Sequence, residues 1–335
     1  MMFTGKVDLI TDKTNMDVFG FTSDEDFSIE LRSNSASACN FHTSNLKDTG
    51  VLLEDGKTQG KDLFEYRYPD TDTTWNKVIN GHVFFGDNSA FQRLWDFVYN
   101  CSQDPEKIGK ESNNGVITTH ANLSITGKVP YIMDNGVKKY TVKRQIDKAI
   151  QYENVTNWSV PDTAEYRQLK FYAEAKHYIV VNSLIFNGLV SLTHMWTDQR
   201  AKNTFFTHFK GDVDENGQWI MRLLPYDIDT SWRGDNDSRL RYDYTREYDD
   251  PGIYDDDKSE FWKLMDLCFE TEYVQMYQDL NNLGYYSLAT LQKYYKDNQV
   301  EAYSSSIYNA DADYKYTGAN ASVKTDSAIG QGTSD

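Results

Sequence analysis

Two stretches decide how this chain is expected to fold: Trp196-Thr-Asp-Gln-Arg-Ala-Lys-Asn-Thr-Phe-Phe206 and Gln218-Trp-Ile-Met-Arg-Leu-Leu-Pro-Tyr-Asp-Ile-Asp-Thr-Ser-Trp232. In the first stretch, Asp198 and Asn203 have the spacing of the catalytic Asp and the metal-binding Asn in the D-x-x-x-x-N loop of protein kinases. In that loop the Asp orients or deprotonates the attacking hydroxyl, and the Asn oxygen binds a metal ion that bridges the phosphates. Alone, this spacing has little specificity in a chain so rich in Asp and Asn.

The two stretches are predicted to form a hairpin that gathers their polar residues. Residues 203–209 and 219–224 are strand-like, and turn-rich sequence joins them. A hairpin places its open ends side by side, and two further acids follow the second strand. The sequence therefore predicts one site of hard oxygen ligands suited to Mg²⁺ or Mn²⁺. Its members would be Asp198, Asn203, Asp227 and Asp229. The alternative is that these residues cap a helix and solvate a hairpin end.

These motifs resemble the CotH (spore-coat) kinase-like family, which has a D…N element, a G-K-W strand start and a P-W-D-L-D-x-T-F/W-G stretch. Here the corresponding segments are 198–203, Gly217-Gln-Trp219 and Leu224-Pro-Tyr-Asp-Ile-Asp-Thr-Ser-Trp232. Tyr226 stands where the family has Trp. The resemblance covers about residues 160–285.

The resemblance implies an atypical protein-kinase fold and, in active members, transfer of phosphate from ATP to a protein Ser with a divalent metal. It implies that Asp198 is the catalytic Asp and that Asn203, Asp227 and Asp229 hold Mg²⁺ or Mn²⁺ with ATP. We expect Lys202 and Arg233 to contact the nucleotide phosphates. For Arg233, a surface ion pair with nearby acids is the alternative.

The N-terminal part of the chain leaves the activity open. A working kinase needs a phosphate-covering loop and a nucleotide-binding Lys paired with an acid, and no clear version of either stands in this sequence. A wider likeness, through residues 63–70 and 19–21, is to large structural proteins of tailed bacteriophages that contain this fold. The sequence thus predicts either a Mg-dependent protein Ser/Thr kinase domain of a virion protein or an inert structural or adsorption module of a phage tail or capsid. Glycan binding through aromatic residues has no distinctive motif.

The composition of the chain limits the classes of partner and site that it can have. The formal charge of -17 disfavours nucleic acid and anionic membranes as partners. Hydrophobic residues at 39% and aromatic residues at 14% exclude wholesale disorder. Three scattered cysteines without a CxxC do not indicate a disulfide framework or a zinc site. No apolar run suggests a signal peptide or a transmembrane segment. We expect a virion component assembled in the host cytoplasm, with other virion proteins and a protein substrate as partners.

The predicted fold class is α+β: an atypical protein-kinase-like C-terminal lobe preceded by a β-rich region. The expected divisions are 1–155, a β-rich region (a partial N-terminal lobe or an insertion); 156–300, a CotH-kinase-like helical lobe with the catalytic hairpin; and 301–335, a polar tail or truncated linker.

Local patterns predict the elements within these divisions. Alternation predicts a half-buried strand at Phe27–Leu31, residues 63–68 predict another strand, and Asp134-Asn-Gly136 predicts a hairpin turn. Helices are predicted at 89–99, 182–195, 272–283 and 287–298, with Gly284 between the last two. Two further helices are predicted from their N-terminal caps: one begins at the capping box of Asp162 and Glu165, and the other at the capping pair of Asp257 and Glu260.

Residues 212–217, Asp-Val-Asp-Glu-Asn-Gly, match the first half of an EF-hand calcium loop. The twelfth position is Leu223, where a bidentate Glu is required. A plain hairpin turn is therefore predicted, with opportunistic Ca²⁺ binding as the alternative.

Overall fold

The computed structural model describes residues 21, 23–31, 41, 64–68, 78–83, 88–102, 122–194, 200, 204–225, 259–290, 292–293 and 296–297. Helices and strands are mixed, which confirms the predicted α+β class. The strands are β1 (Phe27–Leu31), β2 (Phe64–Tyr68), β3 (Val78–Ile79), β4 (His82–Val83), β5 (Asn122–Asp134), β6 (Val137–Tyr140), β7 (Gln151–Pro161), β8 (Thr204–His208) and β9 (Arg222–Pro225). The α-helices are α1 (Ala90–Ser102), α2 (Ala164–Glu174), α3 (Val181–Thr193), α4 (Glu260–Cys268) and α5 (Glu270–Asn282).

The strands form three antiparallel sheets. The central sheet has the order β2-β1-β8-β9, and β8 and β9 form the predicted hairpin. A second sheet has the order β6-β5-β7, and β3 pairs with β4. The second sheet packs against α2, where Gly127 of β5 lies so close to Ala173 that an added Cβ would lie 2.6 Å from the carbonyl oxygen.

Strand β1 lies in the middle of its sheet, paired with β2 on one side and β8 on the other. The prediction of a half-buried strand was wrong, because Phe27, Ser28 and Ile29 are all buried. Apolar and polar residues alternate in this sequence as in a strand with one solvent-exposed face, but both faces of the strand are buried at residues 27–29. The hydroxyl of a small residue is easier to bury than a charged group, which suits Ser28 to this position.

One hydrophobic cluster spans the described residues and joins both sides of the predicted division after residue 155. That division falls inside β7. Phe41 shows the continuity, because its ring lies 4.9 Å from Trp95 of α1, 5.6 Å from Phe206 of β8 and 5.1 Å from Phe261 of α4. The N-terminal strands therefore complete the core against the helices and the hairpin.

The predicted turn and the first helix are confirmed. Asn135 and Gly136 have φ angles of 51° and 80°, so both occupy the left-handed region that a two-residue hairpin turn requires. At the start of α1, the hydroxyl of Ser89 accepts a hydrogen bond of 3.1 Å from the backbone N–H of Gln92. This contact satisfies one of the free N–H groups of the first helical turn.

Helix α2 is present, but the predicted capping box at its start was wrong. Thr163 caps the helix and accepts a hydrogen bond from the backbone N–H of Tyr166. Asp162 is drawn away by Arg167, whose Nε and Nη2 lie 2.7 and 2.9 Å from the two carboxylate oxygens. Both side chains are nearly fully buried. Asp162 therefore pairs with Arg167, and the hydroxyl of the neighbouring Thr163 caps the helix instead.

Helices α3, α4 and α5 lie where the sequence predicted them. The sequence of α3 is apolar nearly all round, but the helix is buried on one side only and leaves Phe186 half-exposed. Ser259 caps α4 by accepting from Trp262, and Asp257 lies outside the described residues. Gly284 follows α5 with a φ of 81°, as expected for a helix C-terminus.

Candidate phosphoryl-transfer site

The β8–β9 hairpin fixes the frame of the candidate site. The register pairs Thr204 with Pro225, so the two open ends of the hairpin lie opposite each other. In the sequence, Asn203 directly precedes the first of these residues and Asp227 follows the second by two positions. The six residues predicted for catalysis, metal and phosphate lie outside the described residues, and their arrangement stays a prediction. They are Asp198, Lys202, Asn203, Asp227, Asp229 and Arg233.

The helix before the candidate loop is tied to the strand after it. The backbone N–H of Val180, at the start of α3, donates to the carbonyl of Met221 at 2.7 Å, and Met221 donates to Tyr178 at 2.9 Å. The Ser183 hydroxyl accepts a hydrogen bond from the backbone of Leu223 at 3.3 Å. Helix α3 and strand β9 are therefore held together. In the sequence, the candidate loop motif at residues 195–203 lies between α3 and β8, the partner strand of β9.

Arg200 links the candidate loop to helix α4 and was missed by the sequence analysis. Its Nη2 donates to Oδ1 of Asp266 at 2.6 Å, and its guanidinium lies 4.6 Å from the ring centre of Trp262. The side chain is only 3% exposed. The sequence shows a basic residue between Asp198 and Asn203, but it does not predict that its partner is Asp266, more than sixty residues away.

The N-terminal region also holds the hairpin. Asp26 is buried, and its two carboxylate oxygens accept hydrogen bonds from the backbone N–H groups of Lys210, at 2.6 Å, and Ser23, at 2.7 Å. Lys210 lies in the turn after β8. Hydrogen bonds to a charged carboxylate are stronger than those between neutral groups. Asp26, which directly precedes β1, therefore fixes the turn after β8 to the start of β1.

The acidic turn between β8 and β9 is the hairpin turn that the sequence predicted. The Asp214 carboxylate accepts hydrogen bonds of 2.8 Å from the backbone N–H groups of Asn216 and Gln218. Partial burial alone would raise the pKa of Asp214, but these backbone hydrogen bonds lower it below its ordinary value. Asp212 is occupied by Arg222, with the shorter contact 2.6 Å long. Both carboxylates therefore serve the turn.

A stack of three rings lies beside this turn. Trp219 lies between His208, at a centroid distance of 4.5 Å, and His82, at 4.7 Å. His82 and Trp219 also line a cavity of about 170 Å³ beside Arg93. His208 is fully buried, and burial lowers its pKa although a hydrogen bond to the Ile220 carbonyl opposes the shift.

Within the described residues, no three carboxylate, imidazole or thiolate groups come together as a metal-binding cluster. The two described cysteines, Cys101 and Cys268, are buried free thiols whose pKa values burial raises. None of the helices in the described part of the chain is long and apolar enough to cross a membrane.

Compared with known proteins, the chain matches no family model, no curated protein and no solved structure.

Proposed function

We propose that this chain is a CotH-kinase-like domain of a bacteriophage virion protein that binds Mg²⁺ with ATP and transfers phosphate to a protein Ser or Thr. Asp198 would orient the acceptor hydroxyl, while Asn203, Asp227 and Asp229 would hold the metal ion. Lys202 and Arg233 would contact the phosphates. The observation that supports the proposal is the register of Thr204 with Pro225, because Asn203 precedes the first of these residues in the sequence and Asp227 follows the second by two positions.

Two further contacts support a fixed site. Phosphoryl transfer depends on positioning and on electrostatic stabilisation more than on covalent chemistry. The hydrogen bonds between the start of α3 and residues Met221 and Leu223 restrain the β9 side of the hairpin. The pair of Arg200 with Asp266 restrains the candidate loop itself. One restraint on the hairpin and one on the candidate loop fit a role in which the loop side chains must hold one geometry.

The inert alternative is favoured by the N-terminal part of the sequence. The sequence has no clear nucleotide-binding Lys. Lys170 of α2 is engaged by Glu174 of its own helix at 2.7 Å and donates to the Ser124 carbonyl at 2.8 Å. These contacts clamp α2 to β5 and leave Lys170 a structural role. A structural or adsorption module of the same fold would keep the hairpin and lack nucleotide binding.

Calorimetric titration of Mg·ATP separates the two functions. The wild-type chain is expected to bind with micromolar affinity, and Asp227→Ala to lose that binding. Glu215→Ala is the matched control, since it removes an exposed acid at the opposite end of the same hairpin and should bind as the wild type does. Absence of heat from the wild-type protein supports the inert module. Incubation with labelled ATP then tests phosphate transfer, and mass spectrometry of purified particles tests the virion assignment.

A further inference from the structure

Residues 122–150, here called the basic arm, carry positive charge in an acidic protein. This segment holds six Lys and Arg residues against two Asp, whereas the whole chain has 34 basic and 51 acidic residues. Strand β6, at one edge of its sheet, is exposed at Val137, Lys138 and Lys139, and Lys143 and Arg144 are exposed in the segment that follows.

The nearby acids neutralise only part of this charge. Lys138 pairs with Glu153 of β7, and Lys148 pairs with Asp134 at 2.8 Å. Among the described residues, no ion pair engages the other three exposed basic side chains, Lys139, Lys143 and Arg144. The basic arm therefore presents excess positive charge to its surroundings.

Apolar side chains stand exposed on the same arm. Val137 is 68% exposed and Ile146 is 96% exposed. A recess of about 410 Å³ opens beside Val137 and is lined by Asp134, Val137, Lys138, Lys139, Tyr140 and Tyr166. A recess of this size can accept a Leu or Tyr side chain. Apolar residues surrounded by charge are typical of a protein interface, and a site for a simple polyanion does not need them.

The opposite combination occurs on residues 270–290, here called the acidic face. This segment contains Glu270, Glu272 and Asp279 and neither Lys nor Arg. Glu270 and Asp279 are exposed, whereas Glu272 is partly buried and accepts hydrogen bonds from the hydroxyls of Tyr152 and Tyr172. The negative charge of the face therefore comes from Glu270 and Asp279. On helix α5, Tyr273 is the buried residue, so most of the helix surface is open. Large apolar side chains are exposed on this helix, at Tyr277, and in the residues after it, at Leu283, Tyr285 and Leu288.

We propose that the basic arm of one copy of this chain docks onto the acidic face of a second copy. Opposite charges would steer and orient the two surfaces, and exposed apolar side chains on both would pack together. Contact between two arms would set like charges against each other, as would contact between two acidic faces. The interface is therefore head-to-tail, and each bound pair keeps one free arm and one free face. Such contacts generate rings or filaments.

Sedimentation analysis of the purified chain tests the proposal. In about 50 mM salt, where charges act over more than 10 Å, the mass should rise with concentration beyond that of a dimer. In about 0.5 M salt, where screening is strong, the same samples should return to monomers. A wild-type chain that stays monomeric at low salt overturns the proposal.

Complementary variants give the sharper test. Lys138→Glu with Lys139→Glu disables the arm, and Leu283→Asp with Leu288→Asp disables the face; all four positions are exposed. Each double variant alone should be monomeric, and an equimolar mixture should form a heterodimer that grows no further. Lys176→Glu with Lys263→Glu makes the same charge change at other exposed sites and should associate like the wild type. Circular dichroism confirms folding of every variant.

A mixture that stays monomeric, or an arm variant that still associates, contradicts the head-to-tail contact. A short fluorescent single-stranded DNA is added as a separate probe. If the wild type is monomeric but binds this DNA, and the arm variant does not, then the arm recognises a polyanion and the proposed contact between copies is wrong.

Discussion

The guanidinium of Arg200 lies 2.6 Å from the carboxylate of Asp266 and stacks over Trp262. Arg200 stands two positions after Asp198 and three before Asn203, and it is the described residue between them. Asp266 lies on α4, whose Phe261 packs against Phe206 of the hairpin at a centroid distance of 6.1 Å. One ion pair thus joins the candidate loop to the helix that also supports β8.

Breaking this ion pair should weaken nucleotide binding without removing a predicted ligand. Asp266→Asn is expected to lower the Mg·ATP affinity 10- to 100-fold, about the effect of losing a residue that orients metal ligands. Calorimetry with Mg·ATP measures the change. Glu270→Gln, which neutralises an exposed acid at the start of α5, is the control and should bind normally. Equal binding by Asp266→Asn and wild type contradicts this role, whereas a wild type without binding contradicts the proposed function itself.

The buried pair of Asp162 and Arg167 should be sensitive to loss of one partner. Arg167 also donates to the Asn100 carbonyl of α1 at 2.8 Å, so its guanidinium joins α2 to α1. Asp162→Ala leaves a buried charge without its carboxylate, and we expect a loss of about 3–5 kcal/mol in the free energy of unfolding. Urea denaturation measures this loss. Asp162→Ala with Arg167→Met should be less destabilised than Asp162→Ala, and an equal or greater loss would contradict the explanation.

Gly188 of α3 has no room for a side chain. An added Cβ would lie 2.4 Å from the Tyr273 hydroxyl oxygen and 2.8 Å from its ring. In an exposed helix, Ala would be preferred over Gly by about 1 kcal/mol. Here overpacking should outweigh that gain, and Gly188→Ala should destabilise the protein by about 1–3 kcal/mol.

The same contact supplies a control for Gly188→Ala. In a Tyr273→Ala background the clash is absent, so adding Gly188→Ala should be neutral or stabilising in thermal and urea denaturation. A loss of equal size in both backgrounds would show that the tyrosine is not the cause.

His208 should make stability depend on pH. Burial holds its folded-state pKa below the ordinary value of 6.5, so the unfolded chain takes up a proton first as the pH falls. The contribution of neutral His208 to the free energy of unfolding is fully present above pH 6.5. Below that pH the free energy of unfolding falls by up to about 1.4 kcal/mol per pH unit. His208→Phe keeps a ring against Trp219 and removes the titration. Urea denaturation between pH 7.5 and 5.5 should show a shallower decline in this variant, and parallel declines would contradict the assignment.

Much of the local structure could be predicted because it is encoded over a few residues. The Asn135-Gly136 turn needs two left-handed conformations that these residue types tolerate. The apolar spacing of Phe91, Leu94, Trp95 and Val98 predicted α1, and all four are buried. The β8–β9 hairpin followed from two apolar runs around a turn. Each of these signals compares a residue with neighbours a few positions away.

The two wrong predictions, for Asp162 and for strand β1, concern features that depend on the folded chain as a whole. Asp162 has the sequence context of a cap, but Arg167 reaches it across one turn of α2 and takes both oxygens. Ser28 lies on the side of β1 that the sequence pattern predicts to be exposed, but it is buried in a strand that is paired on both edges. Burial strengthens the Asp162–Arg167 pair and removes Ser28 from water, and burial is a property of the folded chain.

The sequence by itself determined the α+β class, the hairpin and the order of helix, polar loop and hairpin that suggested a kinase-like site. These depend on periodicity and on residue spacing. Only the tertiary structure decided that Arg200 reaches Asp266, that the N-terminal strand β1 lies beside β8, and that one core joins both parts of the chain. Such contacts bring together residues far apart in sequence, and they form only when burial of the shared apolar surface offsets the entropy of closing the long loops between them.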